Sequence, residues 1–341
     1  MSQPFNYPIA SLSTIKVSNL RDGSPSAANK VVRAAEQAGV FYLDFTDSKE
    51  LPFTGIIRDV QTFSREIFQL GLDQKMEFDV DRLATLKTNG YTRSSRPLIH
   101  KLMVGLGTSL SVPDNFPRPS IVDSHIVTLR DLTSWCHEIA QLIFQTLSKA
   151  LDLPQEIALE TLHNPRTSHD IIRLLRYEKN TSPDVLCVPQ AAHTDLGSLT
   201  FLFTDNPGLQ TRARDGNEWE YVIPKKNCAI VNLGDAMSMW TGGALQSVLH
   251  RVASMPGQGM NERYSFALLM RPTNTAPMCS LLHEVVPDGQ LRCEEWIKTK
   301  FKALRGKKDG DSVRSMCHDA EIRAGRLAGQ TDDCTSLGLD V

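Results

Sequence analysis

Two hydrophobic periodicities divide the chain. Through the first 150 or so residues, apolar side chains recur three and four positions apart, the spacing of amphipathic helices. Residues 26–39 carry Val31, Val32, Ala35 and Ala38 in this register, and Gly39 offers the left-handed position that stops a helix. A short strand is expected at 40–43. Ile56, Val60, Phe63, Ile67 and Leu70 mark one face of a second helix over 55–70. The turn formers Asn89-Gly90-Tyr91 and the proline-bounded segment 113–117 interrupt the chain. Ile126, Leu129, Leu132, Ile139, Leu142, Ile143 and Leu147 then predict one long helix over 120–151, packed against whatever follows as a backing helix.

From about residue 171 the pattern changes to short β-branched and aromatic runs separated by turns. Strands are expected at 171–177, 199–203, 209–212, 219–222, 228–233, 247–252 and 264–270. Asn206-Pro207-Gly208 and Asp215-Gly216-Asn217 serve as turns. The class is mixed α/β with a mainly β core, an antiparallel double sheet or jelly roll flanked by helices. Residues 1–118 form a region of helices and short strands on the barrel, and 119–300 the barrel with its backing helix. Residues 301–341 hold a helix over 312–327 and a loosely ordered tail.

Composition narrows the partners. Hydrophobic residues make up 41% and charged residues 22% of the 341, as in ordinary globular proteins. A formal net charge of −2 gives no reason to expect nucleic acid or an anionic membrane. The seven cysteines form no CxxC pair and read as reduced thiols. There is no charged start followed by an apolar core, and no apolar run approaches the roughly 20 residues of a membrane span. A cytoplasmic monomer acting on a small molecule is the expectation.

The chemistry concentrates in Ala192-His193-Thr194-Asp195-Leu196-Gly197. On an extended strand, residues i and i+2 share a face, so His193 and Asp195 can grip one ion while Thr194 turns away. His250, from a neighbouring strand, would complete a facial triad of the kind that keeps positions open on Fe(II) for a co-substrate and dioxygen. Two imidazoles and a carboxylate also suit a zinc hydrolase, and a silent small-molecule binder is a third reading. No general base stands out beside the triad, and a pure binder has no use for metal ligands. His100, His125, His137, His163, His169, His283 and His318 read as structural.

The order of motifs carries a resemblance. His193-Thr194-Asp195 is followed by Leu199-Thr200-Phe201-Leu202, Asn206-Pro207-Gly208-Leu209-Gln210, Val231-Asn232-Leu233-Gly234-Asp235, Ser247-Val248-Leu249-His250-Arg251-Val252 and Arg263-Tyr264-Ser265-Phe266. The chain is similar, over about residues 8–300, to the isopenicillin N synthase-like family of Fe(II)- and 2-oxoglutarate-dependent oxygenases. The resemblance implies a double-stranded β-helix holding Fe(II) on His193, Asp195 and His250. It implies 2-oxoglutarate as co-substrate, with Arg263 and Ser265 on its distal carboxylate and Tyr177 beside it. O2 would be the oxidant and succinate and CO2 the products. A planar, permanently charged guanidinium with a hydroxyl two residues on suits such a carboxylate. The chain departs from the family at Leu175, where an asparagine is usual, and at Tyr177-Glu178-Lys179-Asn180, which replaces a Tyr-Pro-Pro run. Some relatives keep the Arg-Ser pair without using 2-oxoglutarate, so an Fe(II) oxidase of that type is the alternative. The family's range implies a small specialised metabolite as substrate, with hydroxylation, desaturation and ring chemistry all open.

Strand parity adds candidates for the substrate. Arg173 alternates in phase with Tyr177, and Leu269 and Arg271 with Arg263, so all three are expected on the wall of the cup. An arginine there would pair with a substrate carboxylate or enolate, or with a rim acid. Phe201 and Phe203 are expected in the core. Asn232-Leu233-Gly234-Asp235 is expected to shape the barrel as a tight turn without touching substrate.

Overall fold

The computed structural model describes residues 7–79, 90–95, 98–105, 120–180, 187–212, 218–256, 259–282 and 289–305. Several sequence expectations fall outside these residues: the breaks at 113–117 and 215–217, the helix over 312–327, the tail, His283 and His318.

Two sheets form the β core. The larger has eight strands in the order β1 (Thr14–Lys16), β2 (Val40–Asp44), β10 (Cys228–Leu233), β7 (Leu199–Phe203), β12 (Arg263–Met270), β5 (Ile171–Tyr177), β4 (Leu98–Gly105) and β3 (Gly90–Ser95). The smaller has four, β6 (Gln190–His193), β11 (His250–Val252), β8 (Leu209–Arg212) and β9 (Trp219–Tyr221). Only the β1–β2 pairing is parallel among these strands. This is the jelly roll the alternating pattern predicts.

Alternation along the large sheet sorts its residues by face. Phe201, Phe203, Phe266 and Leu268 enter the main core, buried against the helices. Leu202, Ser265, Ala267 and Leu269 face the interior cup. Phe201 and Phe203 are therefore core residues, as their phase requires.

The helices α1 (Val17–Arg21), α2 (Pro25–Gln37), α3 (Leu51–Gln69), α4 (Leu72–Met76), α5 (Ser120–Ser124) and α6 (Ile126–Ala150) precede β5. Gly39, at φ +65°, ends α2, and its Cα lies so close to Gln246 that a Cβ would meet that carbonyl oxygen at 2.2 Å. The predicted 120–151 helix is broken at His125, whose ring stacks on Phe63 at 4.8 Å and pairs with Glu66. Downstream, α6 buries Leu129, Leu132, Ile139, Ile143, Phe144 and Leu147 and packs on α2 and α3, with α3 in turn lying on β12 and β5. The backing helix thus supports the barrel largely through a layer of helices.

Two expectations are corrected. Gly90 and Tyr91 open strand β3 instead of turning the chain, and β3 pairs with β4 to extend the large sheet at β5. The strand expected at 247–252 begins only at His250, because Ser247 is drawn off to hydrogen-bond Asp235 at 2.8 Å. The last described helix is α8 (Cys293–Arg305).

Candidate active site

His193 is the last residue of β6, so Asp195 lies beyond the strand, not at an alternate position within it. What fixes its backbone is the helix α7 (Asp235–Trp240). The first turn of a helix has free N–H groups. Here Asp235 N donates to Asp195 O (2.7 Å) and Ala236 N to Gly197 O (3.2 Å), while Gly234 N reaches Ser198 O at 3.0 Å. This approach requires glycine at 234, where a Cβ would sit 2.3 Å from Gly197 O and 2.7 Å from Asp195 O.

His250 arrives directly opposite His193 in the β11–β6 pairing, with ring centroids 4.3 Å apart. Each ring is oriented by its own backbone. His193 Nδ1 lies 2.9 Å from Ala191 O, and His250 Nδ1 lies 3.1 Å from Val248 O. A carbonyl only accepts, so both Nδ1 atoms carry the proton and both Nε2 lone pairs are free for a metal. Those Nε2 atoms lie 3.9 and 4.0 Å from the Asp195 carboxylate oxygens, and the three ligand atoms fall within 4.8 Å of one another.

The electrostatics prepare this triad for a cation. Burial, reinforced by His250, lowers the His193 pKa to about 3, which keeps its imidazole neutral. Burial opposes charge on Asp195, but His250, His193, Arg173 and the Thr200 hydrogen bond outweigh it and hold the carboxyl below its ordinary range. Thr200 Oγ1 (2.7 Å) and Asn232 Nδ2 (3.1 Å) both donate to Asp195 Oδ2. The sequence reading misses both partners, and Asn232 lines the cup, contrary to the purely architectural role expected for its turn. Its alternation with Ile230 along β10 is the available signal.

Beyond the triad the cup is walled by the large sheet. Arg173, Leu175 and Tyr177 of β5 face it, as do Arg263, Ser265, Ala267 and Leu269 of β12. Arg263 is 1% exposed; its Nη1 donates to Ser265 Oγ at 3.0 Å, while Nε and Nη2 are buried without a hydrogen-bond acceptor. The Tyr177 ring lies beside the guanidinium, 5.1 Å from centroid to Cζ. A buried cation with orphaned donors calls for an anion, and the distal carboxylate of a dicarboxylic acid suits it. The histidine pair and carboxylate likewise suit Fe(II), so the residues present fit both groups.

Arg271 is placed differently from expectation. It follows the end of β12, where alternation no longer holds, and its guanidinium donates to His169 O at 2.9 Å, off the wall of the cup. Three further described histidines hold structure: His137 pairs with Asp170, His163 with Ser198, and His100 with Tyr91 and Glu178.

Comparison with known proteins agrees with this geometry. Residues 168–272 match the 2OG-Fe(II) oxygenase superfamily. The chain is 33% identical over 183 residues to the 2-oxoglutarate-dependent dioxygenase iboH of Amanita muscaria, covering 52% of this chain and 88% of that protein. It is 27% identical over 319 residues to the 2-oxoglutarate-dependent dioxygenase frbH of Dothideomycetidae sp. (strain 11243), covering 92% and 96%. The fold matches a full-length Neurospora crassa protein, solved in complex with alpha-KG and 5-formyluracil, at a TM-score of 0.70 and 18% identity, over 88% of this chain and 100% of that one. The chain belongs to the 2OG-Fe(II) oxygenase superfamily. It is a dioxygenase whose cofactor is Fe(II) and whose co-substrates are 2-oxoglutarate and O2.

Proposed function

We propose that His193, Asp195 and His250 hold the iron, and that Arg263, Ser265 and Tyr177 bind 2-oxoglutarate for the oxidation of a small specialised metabolite. The observation that carries this reading is the Arg263 guanidinium, buried in the wall of the cup with two donors unsatisfied. The iron with its co-substrates supplies a two-electron oxidation, 2-oxoglutarate leaving as succinate and CO2.

The chain's own part is orientation and exclusion of water. The two Nε2 atoms and the Asp195 carboxylate lie close enough to share one ion, and Oδ2 is engaged by Thr200 and Asn232 while no described donor holds Oδ1. Arg263 and Ser265 anchor the far end of the co-substrate. Leu202, Leu209, Val248 and Val252 give the cup an apolar lining that strengthens those charge interactions. Leu269, with Arg173, forms the side left for the substrate. Arg271 would support that side from behind through His169. Among the described residues no helix is long and apolar enough to cross a membrane, and this reading takes the protein as a monomer working in the cytoplasm.

The test is anaerobic addition of Fe(II) and then 2-oxoglutarate, following the weak visible charge-transfer band of the chelate. The band is expected in wild type and lost in His193→Ala. Stoichiometric iron binding without a band would favour an Fe(II) oxidase independent of 2-oxoglutarate, and failure to bind iron would sink the triad assignment.

A further inference from the structure

Arg263 does not account for all the positive charge in the cup. Arg173 lies on the same face of β5, four residues before Tyr177, the residue paired with Arg263 across the sheet. Arg173 itself pairs with Ala267. Four residues of strand separate the two arginine positions by about 13 Å. A five-carbon dicarboxylate spans only about 5 Å between its terminal carbons. One such molecule anchored at Arg263 leaves Arg173 for something else.

Among the described residues Arg173 also makes no salt bridge, although its charge helps keep the Asp195 carboxyl ionised. Its Nε is buried without an acceptor, and no carboxylate among the described residues forms an ion pair with it. A second cation stands next to it. Lys101 of β4 is paired with Leu175, so its side chain shares the face that carries Arg173. Lys101 is half-buried, and burial together with the Arg173 charge lowers its pKa to about 8, with no acid acting in the opposite direction. Two cations that repel one another in a partly desolvated wall weaken the free protein, and an anion between them relieves the repulsion.

Resting on the oxygenase reading of the cup, we propose that Arg173, with Lys101 beside it, binds an anionic group of the prime substrate, a carboxylate or an acidic enol. The guanidinium fork orients the anion and Lys101 adds charge, so the carbon to be oxidised is presented to the metal from the Ala267–Leu269 side of the cup.

The test uses the enzyme loaded anaerobically with Fe(II) and 2-oxoglutarate. Phenylacetate, cinnamate, indole-3-acetate and octanoate are each titrated against the corresponding neutral primary amide, by calorimetry and by perturbation of the charge-transfer band. At least one acid is expected to bind about tenfold more tightly than its amide. In Arg173→Gln that preference should fall to within about twofold, with the dissociation constant of 2-oxoglutarate unchanged within about twofold. Arg173→Lys, which keeps the charge without the fork, should retain part of the preference, and far-UV circular dichroism confirms that both variants are folded. The proposal is overturned if no acid is preferred over its amide, if the preference survives Arg173→Gln, or if that variant loses 2-oxoglutarate instead. A wild-type protein that forms no chelate band would count against the oxygenase site assignment, a separate and distinguishable result.

Discussion

Asn232 donates its side-chain amide to Asp195 Oδ2, the same oxygen that Thr200 holds. One carboxylate oxygen is thereby engaged by the protein, and no described donor holds the other. This bond gives Asn232 a positioning role. In Asn232→Ala, Fe(II) or Co(II) affinity should fall by about 10–100-fold, the usual cost of removing a partner behind a metal ligand. Anaerobic calorimetry measures it. Affinity within twofold of wild type would show that Thr200 alone suffices.

Arg263 leads to two effects of opposite sign. Arg263→Met removes a buried cation with unsatisfied donors, so the ligand-free protein should be as stable as wild type or more so, by up to about 2 kcal/mol in urea unfolding. The same change should weaken 2-oxoglutarate by roughly 2–5 kcal/mol, because the distal carboxylate loses its charged partner. A variant that unfolds more easily and still binds 2-oxoglutarate would contradict both expectations.

His163 supplies a pH dependence away from the metal ligands. Its Nδ1 donates to Leu159 O (2.6 Å) and its Nε2 faces Ser198 Oγ (2.7 Å), and its ring stacks on Phe144. Burial lowers its pKa from 6.5 to about 4. The unfolded chain therefore binds the proton first as pH falls, so this contribution to stability is full above about 6.5 and drains away down to about 4. It amounts to roughly 3 kcal/mol. Urea unfolding between pH 7 and 4.5 should show a shallower slope in His163→Gln than in wild type, and equal slopes would exclude this source.

Leu175 marks the clearest departure from the family pattern. It packs with Ile99, Tyr177, Val252 and Met260 in a small apolar cluster. Leu175→Asn, which restores the usual residue, should cost about 1–3 kcal/mol by placing an amide in that cluster. It should change 2-oxoglutarate affinity by less than about threefold, well under the loss expected of an anchoring contact. A clear gain in affinity would mean that the amide finds the co-substrate here after all.

The sequence is most informative where alternation and burial coincide. Strands β5, β7, β8 and β10 have the boundaries that their apolar runs predict. Parity also places Arg173, Tyr177, Ser265 and Leu269 on the cup, and it fails for Arg271 because the strand ends at Met270. Strand β6, with the sequence QAAH, has no Val, Ile, Thr, Phe, Tyr or Trp to signal a strand; only the spacing of His193 and Asp195 hints at extended chain, and its pairing with β11 decides its conformation. The break at His125 is set by contacts with Phe63 and Glu66, which are distant in sequence. Asn232 reads as part of a turn because its partner, Asp195, lies 37 residues away.

The two histidines of the triad belong to the four-stranded sheet, whereas Arg263, Ser265 and Tyr177 belong to the eight-stranded one. A 2-oxoglutarate held at both ends is then a strut across the seam of the jelly roll. Loading it should slow amide hydrogen exchange in β6 and β11 together with β5 and β12, although no ladder pairing joins the two sets of strands. The barrel would be a clamp that its own co-substrate tightens, so that rigidity and readiness to react come in the same binding step.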